Sequence, residues 1–319
     1  MGGVFITGGS GFVGGALISA WAERGVVKAM ARSDTSASAV TELGAEAVRC
    51  SLESVTADHL HGCDTVIHAA ARVEEWGTRE EFWLANVTGT ERILAAAHQA
   101  GVATFLHIST DSVLFTGDHL RNVDETAPYP QRSSFPYAES KAEAERLVLA
   151  ANEAPMRTVA VRPVLIWGPG DRTVLPVLAE LVRDNKFVWI DHGRTHVSTT
   201  HIDNLVHGVA LAISEGKGGQ AYYLSDDETL TQREFVSRYL ATVGAEPTDR
   251  SLPGPVARVA ANIVEPVWQR FRPASPPPFT RLAAYLLSRE STVSIDKAKR
   301  ELGYAPVVTI NQGLARLPG

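Results

Sequence analysis

A short β-branched run at the start of the chain, Val4–Thr7, breaks directly into a glycine-rich turn. Residues 7–14 read T-G-G-S-G-F-V-G, and a helical pattern follows. Gly8 would permit a tight turn, Gly11 would let the backbone approach a pyrophosphate, and Gly14 would let the helix pack closely on the sheet. The helix N-terminus offers free N–H groups to phosphates. The spacing at this strand-to-helix junction predicts a dinucleotide-binding turn.

Short β-branched runs alternate with helical patterns through the first half of the chain. This alternation predicts a parallel sheet with helices on both faces and ligands at the carboxyl ends of the strands. The predicted strands are Val4–Thr7, Val27–Ala31, Ala47–Arg49, Thr65–Ala69, Thr104–Ser109 and Thr158–Arg162. The predicted helices are Phe12–Arg24, Thr35–Leu43, Arg79–Ala100 and Tyr137–Asn152.

The pattern becomes irregular after Arg162, with a helix at about Val174–Asn185 and a strand and helix within Val197–Ser214. A proline-rich stretch, Leu252–Pro278, indicates a second, smaller cap. The predicted fold class is therefore α/β, a Rossmann-type doubly wound parallel sheet with a smaller, mostly helical C-terminal substrate-binding domain. We assign residues 1–166 to the nucleotide-binding domain and expect residues 196–225 to return to it. Residues 167–195 and 226–319 are assigned to the substrate-binding cap.

Composition excludes several classes of function. The net charge is −6, so the chain lacks the basic balance that nucleic acid requires of a partner. No apolar run reaches the roughly 18 residues that span a bilayer, and the first run is too short for a signal peptide, so we expect a cytoplasmic protein. Cys50 and Cys63 lack a C-x-x-C spacing and are expected to be reduced. The histidines show no ligand spacing, so no metal is expected.

The end of the second strand indicates which nicotinamide cofactor is preferred. An acidic residue there accepts hydrogen bonds from a ribose 2′-hydroxyl, whereas a cation accommodates a 2′-phosphate. The chain has Arg32-Ser33-Asp34 at this point, and Asp34 is expected to cap the next helix. Arg32, with a hydroxyl from Ser33, favours NADP(H) over NAD(H). The alternative is that Arg32 is a solvated surface charge.

Tyr137 and Lys141 lie four residues apart at the start of a predicted helix, and so share one face. A free tyrosine titrates near pH ~10, which makes it a reluctant acid at neutrality. A cation about 4 Å from the phenolate, at an effective dielectric of about 20, contributes roughly 4 kcal/mol. That energy corresponds to about three pK units, so Lys141 is expected to bring the pKa of Tyr137 near neutrality. The pair predicts proton transfer.

Other polar residues near the predicted site complete the candidate catalytic set. Thr110, after the fifth strand, is placed to donate a hydrogen bond to a substrate carbonyl oxygen. Ser109 is its competitor, because alternation along the strand sends one of the two away from the cleft. Asn86 lies inside a predicted helix, where it could brace the helix that carries Tyr137 or hold a proton-relay water.

These residues together resemble the extended short-chain dehydrogenase/reductase superfamily. The resemblance includes the glycine turn, Val66–Ala71, Asn86–Thr90 and Arg162-Pro163. Trp76-Gly77, Val161–Asp171 and Asp296–Pro306 are most similar to the 3β-hydroxysteroid dehydrogenase branch, which includes bacterial 2-alkyl-3-oxoalkanoate reductases. The resemblance implies that Tyr137, Lys141 and Thr110 are catalytic. It implies cofactor contacts from Thr7, Gly8, Gly11, Phe12, Val13, Gly14, Arg32, Ser33, Ser51, Leu52, Ala69, Ala70, Ala71, Ser109, Pro163 and Val164, and substrate contacts from Trp76, Asp111, Leu165 and Trp167.

At three places the sequence differs from related enzymes, and these differences narrow the range of expected substrates. Nucleotide-sugar dehydratases carry a glutamate where this chain has Ser112, so dehydration is not expected. Epimerases carry an asparagine where this chain has Leu165, and Tyr-Gly where it has Leu114-Phe115. Apolar groups cannot pair a buried diphosphate, so the expected partner is a small hydrophobic substrate, either sterol-like or an alkyl β-keto acid.

Apolar residues at helical spacing form a stripe along one predicted helix of the cap, and this stripe indicates what the cap could contact. Its members are Val256, Val259, Ala260, Ile263, Val264, Val267, Trp268 and Phe271. This stripe could dock on its own domain, line a substrate pocket or touch a membrane peripherally. The superfamily resemblance also implies a homodimer through helices that flank the sheet.

The leading functional hypothesis is NADP(H)-dependent interconversion of an apolar secondary alcohol and a ketone. The alternatives are an epimerase with tightly bound NAD and a non-enzymatic dinucleotide sensor on the same fold. A sensor would need none of Tyr137, Lys141 and Thr110.

Overall fold

The computed structural model describes residues 2–73, 76–272, 275, 277 and 279–317. Its strands are β1 (Gly3–Thr7), β2 (Val27–Met30), β3 (Glu46–Val48), β4 (Cys63–His68), β5 (Thr104–Ile108), β6 (Leu120–Val123), β7 (Arg157–Pro163), β8 (Leu165–Trp167), β9 (Trp189–Ile190), β10 (His196–His201), β11 (Gln220–Leu224), β12 (Thr229–Thr231), β13 (Ser251–Leu252) and β14 (Ser291–Val293).

The α-helices are α1 (Phe12–Ala22), α2 (Asp34–Glu42), α3 (Arg79–Phe82), α4 (Gly89–Gln99), α5 (Pro136–Ala150), α6 (Leu175–Arg183), α7 (Ile202–Glu215), α8 (Gln232–Ala241), α9 (Gly254–Phe271), α10 (Arg281–Ser288), α11 (Asp296–Leu302) and α12 (Ile310–Ala315). Short 3₁₀ turns lie at Ala57–Leu60, Asp111–Leu114 and Asp191–Gly193, and a π-helical segment at Trp83–Thr88 joins α3 to α4. None of these helices is long and apolar enough to cross a membrane.

Seven parallel strands form the main sheet in the order β11-β7-β5-β4-β1-β2-β3. The chain winds outward from β1 to β3 and then returns to place β4 on the other side of β1. A crevice therefore opens at the carboxyl ends of β1 and β4, where ligands bind in sheets of this kind. This topology confirms the predicted doubly wound sheet, and each of the six predicted strands is present within two residues of its expected ends.

Successive side chains along each strand point to opposite faces of this sheet, so a hydrophobic core forms on each face. Phe5 and Val66 pack with Ile93 of α4 and Val148 of α5. The neighbouring residues Ile6 and Ile67 face the other way, into a cluster that includes Leu17 of α1 and Leu205 of α7. Both faces are therefore buried, as a parallel sheet requires.

The C-terminal region combines helices with a small mixed sheet. Its strands run β12-β10-β14-β6, and β8 pairs with β10. Residues 196–225 were predicted to return to the nucleotide-binding domain. Of this segment, β11 is a strand of the main sheet and α7 packs against that sheet, whereas β10 belongs to the smaller sheet. A separate aromatic cluster lies beneath it, formed by Trp167, Phe187, Trp189, Phe235 and Tyr239 with their aliphatic neighbours.

The apolar stripe of α9 does not dock on its own domain. The buried residues of this helix are Gly254, Ala257 and Ala261. Six large apolar side chains of the stripe are between 41% and 77% exposed: Val256, Val259, Ile263, Val264, Val267 and Phe271. The structure thus excludes the core-facing alternative, because these side chains are exposed and the contact with α10 is made by Arg258, Asn262 and Glu265.

Candidate active site

The glycine turn after β1 fits a dinucleotide pyrophosphate. Gly8 has φ +72°, and a Cβ there would lie 2.8 Å from the backbone of Ala69 and Ala70. A Cβ at Gly14 would lie 2.1 Å from the Gly8 carbonyl oxygen. Gly11 is the N-cap of α1. Because glycine has no side chain that could cap the helix, the first N–H groups of α1 remain available to an anion.

The other predicted cofactor residues collect along the same edge of the sheet. Phe12 and Val13, both half-buried, form the first turn of α1. Thr7 ends β1, and its Oγ1 accepts a hydrogen bond of 3.1 Å from the backbone N–H of Ala70. The remaining members lie at or just after the ends of β3, β4, β5 and β7: Ser51, Leu52, Ala69, Ala71, Ser109, Pro163 and Val164.

A cleft of about 480 Å³ lies beyond β2 and β3, where the adenosine ribose of a dinucleotide would be expected. Strands β2 and β3 pair with Met30 beside Val48, so the residues that follow each strand come together. The cleft therefore holds a second arginine, Arg49, which was not predicted, although the adjacency of β2 and β3 indicates it. Its lining is Ala31, Arg32, Ser33, Asp34, Arg49, Cys50, Ser51 and Ser54.

Helix α2 begins differently from the prediction. Ser33, not Asp34, is the N-cap, and its Oγ accepts a 3.2 Å hydrogen bond from the Ser36 N–H. Asp34 is instead ion-paired with Arg49. Ser33 takes the N-cap position because its capping box with Ser36 satisfies two backbone N–H donors.

Tyr137 and Thr110 meet at the carboxyl edge of the sheet. Tyr137 is half-buried in the first turn of α5, and its ring packs edge-on against Phe82 at 6.4 Å between centroids. Burial raises the pKa of Tyr137 to about 12, the charge of Asp111 also raises it, and a hydrogen bond with Thr110 lowers it. The phenol is therefore protonated at neutral pH and can donate a proton.

Lys141 lies one turn further along α5 and is almost fully buried. Its Nζ donates to the Ile108 carbonyl oxygen at 2.8 Å and lies 3.2 Å from His107 Nε2. Burial lowers the pKa of Lys141 to about 8. The predicted lowering of the Tyr137 pKa by Lys141 is not what the structure shows, because strand β5 holds the ammonium and burial dominates at the phenol.

Thr110 is linked to a buried carboxylate. Its Oγ1 donates to Asp111 Oδ1 at 3.0 Å and accepts from the Ser112 N–H at 3.2 Å. Ser291 of β14 donates to Asp111 Oδ2 at 2.6 Å, which ties the small sheet to the end of β5. Ser109, the competing hydroxyl, is buried, and its Oγ has no hydrogen-bond partner among the described residues.

A buried histidine for which no role was predicted, His68, connects the glycine turn to the interior. His68 Nδ1 lies 2.7 Å from Thr7 Oγ1, and its Nε2 lies 2.9 Å from Thr90 Oγ1. Thr7 accepts from a backbone N–H and so donates its own proton to Nδ1. Burial lowers the pKa of His68 to about 3, so the ring is neutral, with its proton on Nε2. Thr90 then donates to the Asn86 carbonyl oxygen at 2.6 Å.

Asn86 lies in the π-helical segment that interrupts the helix predicted at Arg79–Ala100. Its Oδ1 accepts from the Arg72 N–H at 2.7 Å, and its Nδ2 donates to Ser140 Oγ at 3.0 Å. Ser140 in turn donates to the Tyr137 carbonyl oxygen at 2.9 Å. These contacts favour the bracing role for Asn86, since its amide holds the first turn of α5.

The four predicted substrate residues have different surroundings. Trp76 and Leu165 are half-buried, and Asp111 is buried. Trp167 is fully buried, its Nε1 donates to Asp226 Oδ2 at 2.8 Å, and its ring packs on Phe235 and Tyr239. Trp167 is therefore part of the cap core, and its contact with substrate stays a prediction. No group of acidic, histidine or cysteine side chains within the described ranges could hold a metal ion.

Comparisons with known proteins agree with this geometry. A model of the 3-beta hydroxysteroid dehydrogenase/isomerase family matches residues 5–254. A 4-hydroxy-2-methyl-3-oxo-4-farnesyl-3,4-dihydroquinoline-1-oxide ketoreductase from Stigmatella aurantiaca is 43% identical over 98% of this chain and 95% of its own length. A 2-alkyl-3-oxoalkanoate reductase from Stenotrophomonas maltophilia is 39% identical over 98% of both chains.

One solved structure illustrates how widely the fold is shared. A UDP-glucuronic acid 4-epimerase from Bacillus cereus, in complex with NAD, matches with a TM-score of 0.75 and 19% identity. The match covers 98% of this chain and 96% of that one. At this identity the likeness shows the fold alone.

Proposed function

Because the chain belongs to the 3-beta hydroxysteroid dehydrogenase/isomerase family and is an NAD(P)-dependent oxidoreductase of hydroxyl and keto groups, we propose that it reduces the ketone of an apolar substrate with NADPH. The observation that supports the proposal is the hydrogen bond between Tyr137 and Thr110 at the edge where the glycine turn opens, with buried Lys141 one turn further along the same helix. An acid beside a dinucleotide turn is the arrangement that carbonyl reduction requires.

Each of the three side chains has a separate task in this reaction. When bound, NADPH would supply the hydride. The Tyr137 phenol donates its proton to the ketone oxygen as that oxygen becomes an alkoxide. The Thr110 hydroxyl would turn its proton from Asp111 Oδ1 to the same oxygen. The Lys141 ammonium, held by the Ile108 carbonyl oxygen and His107, would supply positive charge on the helix face that carries Tyr137.

The contents of the cleft beyond β2 support the preference for NADPH. Arg32 and Arg49 are both exposed in its lining, and Ser33, Ser51 and Ser54 add hydroxyl groups. Guanidinium groups recognise a phosphate through charge-assisted hydrogen bonds, whereas a 2′-hydroxyl of NADH offers them no charge. Asp34, which lines the same cleft, is ion-paired with Arg49.

We expect Arg32→Asp to raise the KM for NADPH by about 10- to 150-fold, the effect of losing one charge-assisted hydrogen bond. The KM for NADH should change by less than about threefold, since the 2′-phosphate is the group affected. Initial rates with both cofactors measure this. The matched control is Arg24→Asp, the same change of charge at an exposed arginine outside the cleft. Equal loss of both cofactors would contradict the proposed role of Arg32.

The substrate is proposed to be an apolar ketone with an alkyl or prenyl chain. The two relatives are named for a farnesylated quinoline oxide and for 2-alkyl-3-oxoalkanoates, and both names describe reduction of a keto group. Leu165 supports the same class, because this half-buried residue cannot pair the diphosphate of a nucleotide sugar. No observation of the site favours epimerisation.

NADPH oxidation against matched ketones tests the proposal. Alkyl β-keto acids of increasing chain length, a 3-ketosteroid and a prenylated aromatic ketone form the panel. We expect kcat/KM to rise by up to about fourfold for each CH₂ that becomes buried, from about 0.8 kcal/mol per group. Nucleotide sugars with a 4-keto group are the control and should be inert. Turnover of the nucleotide sugars, or no dependence on chain length, would contradict an apolar pocket.

A further inference from the structure

His107 of β5 is a buried histidine that contacts Lys141. Its ring lies beside that of His68, its register partner on β4, at 5.3 Å between centroids, and both rings are at most 1% exposed. Burial and the positive charge of Lys141 hold the pKa of His107 well below its usual range. The ring is therefore neutral at physiological pH, and one of its two nitrogens is a hydrogen-bond acceptor.

The contact with Lys141 determines which nitrogen of His107 carries the proton. Lys141 Nζ lies 3.2 Å from His107 Nε2, and an ammonium group can only donate. Nε2 is then the acceptor, so the proton of the neutral ring is on Nδ1. His68 has the opposite tautomer, because Thr7 and Thr90 place its proton on Nε2. The two neighbouring rings therefore carry their protons on different nitrogens.

The Nδ1 atom of His107 is buried and has no hydrogen-bond partner among the residues that the structure describes. Buried N–H groups are nearly always paired, and leaving one unpaired costs free energy. The other tautomer of His107 would place its proton on Nε2, directly against the Lys141 ammonium. The unpaired Nδ1–H is thus the consequence of presenting an acceptor to Lys141.

Strand β5 offers two acceptors to the Lys141 ammonium. One is the Ile108 carbonyl oxygen at 2.8 Å, and the other is His107 Nε2. An ammonium group has three donors, so one N–H remains for the cofactor or the substrate. The carbonyl oxygen would be present with any residue at position 108, whereas the second acceptor is supplied by the side chain of His107.

The charges around Lys141 act in both directions on its proton. Burial lowers the pKa of Lys141 to about 8, and the charge of Glu145 raises it. The titratable groups that face this part of α5 come from β4, β5, β7, the 3₁₀ turn after β5 and α5 itself: His68, His107, Arg162, Asp111, Tyr137 and Glu145. A neutral acceptor stabilises the ammonium, so His107 is expected to raise the pKa of Lys141.

We propose that His107 is a positioning residue that holds the Lys141 ammonium at the end of β5 and keeps it charged through the neutral range. The proposal rests on the proposed function only for the effect on turnover, where the ammonium stabilises the negative charge that develops on the ketone oxygen. The hydrogen bond and the protonation of Lys141 are properties of the free protein, so they are measured without substrate.

Nuclear magnetic resonance of the full-length protein, labelled with nitrogen-15 histidine, tests the tautomer. A long-range proton–nitrogen spectrum distinguishes the two neutral forms of an imidazole. At neutral pH we expect the proton of His107 on Nδ1 and that of His68 on Nε2. The signals of His107 are assigned by their loss in His107→Gln. A wild-type His107 with its proton on Nε2 would overturn the proposal.

Substitution of His107 tests its effect on Lys141. His107→Leu removes the acceptor and should lower the pKa of Lys141 by about one to two units, the contribution of one hydrogen bond to a charged group. His107→Gln keeps a side-chain acceptor and should restore most of this difference. Titration of carbon-13-labelled lysine follows the pKa, and Lys141→Met assigns the signal. Thermal unfolding checks that each variant is folded.

The pH dependence of ketone reduction gives the functional readout. Because the charged form of Lys141 is the active one, kcat/KM for NADPH should fall as the pH rises through the pKa of Lys141. In His107→Leu this fall should begin about one to two pH units lower, and His107→Gln should restore it. The matched control is His207→Leu, a change of a half-buried histidine on α7, which should leave the profile unchanged.

Two further outcomes separate this proposal from the proposed function. An unchanged pKa of Lys141 in folded His107→Leu would overturn the role of His107, whatever the activity. A lowered pKa of Lys141 in a protein that reduces no ketone would support the role of His107 and contradict the proposed function.

Discussion

Tyr137→Phe should lower kcat for ketone reduction by about 10²- to 10⁴-fold, the usual contribution of a positioned general acid. The substitution removes the phenol oxygen but keeps the ring that packs edge-on against Phe82. Binding of NADPH, followed by fluorescence, should change by less than about twofold, because the glycine turn and the Arg32 cleft are untouched. Single-turnover kinetics of NADPH oxidation then assign the loss to the chemical step.

The control for this variant is Tyr285→Phe, which removes a phenol hydrogen-bonded to Asn262 outside the site. Its kcat should stay near that of the wild type. Because the pKa of Tyr137 is raised to about 12, the proton needed for reduction is present throughout the neutral range. Oxidation of the alcohol needs the phenolate instead, so its rate should rise with pH. Full activity of Tyr137→Phe would contradict the mechanism.

Glu145→Leu should lower the free energy of unfolding by about 3–5 kcal/mol, a large share of the roughly 5–15 kcal/mol that domains possess. Glu145, two turns beyond Tyr137 on α5, is fully buried and pairs with Arg162 of β7 at 2.6 Å. Removing the carboxylate would leave the Arg162 guanidinium, only 2% exposed, without a counter-charge. Urea denaturation followed by circular dichroism measures the change.

A second ion pair on the same helix supplies the control. Glu143 pairs with Arg146 at 2.6 Å, but both side chains are about a third exposed or more. Glu143→Leu should therefore cost less than about 1 kcal/mol. Combining Glu145→Leu with Arg162→Met should recover most of the lost stability, because two apolar groups replace the whole pair. Equal effects of the two glutamate variants would show that burial does not govern the Arg162 pair.

Much of the fold could be read from local patterns. The β-branched runs and glycine turn predicted six strands and the position of the crevice, since strand-forming runs and tight turns depend on neighbouring residues. The seventh strand, β11, was missed because it follows the irregular region. The motif of Asn86–Thr90 was recognised, but its π-helical geometry was not, since it depends on contacts with Arg72 and Ser140.

The candidate site was harder to predict where it depends on distant parts of the chain. Arg49 enters the cofactor cleft because β3 pairs with β2, and Asp111 meets Ser291 across 180 residues. The environment of Lys141 was misjudged for the same reason: spacing on a helix places it near Tyr137, but it does not show that β5 offers the Ile108 carbonyl oxygen. The core position of Trp167 was not predicted, because its aromatic partners come from β10 and α8.

The sequence by itself determined the doubly wound sheet, the dinucleotide turn and the shared helix face of Tyr137 and Lys141. These follow from periodicity and short spacing, which local geometry translates directly into structure. Only the tertiary structure decided which side of α9 faces the protein. Periodicity defines two faces of a helix, but the choice between them depends on what the neighbouring element accepts. Here the small residues Ala257 and Ala261 are buried, and the aliphatic stripe is left exposed.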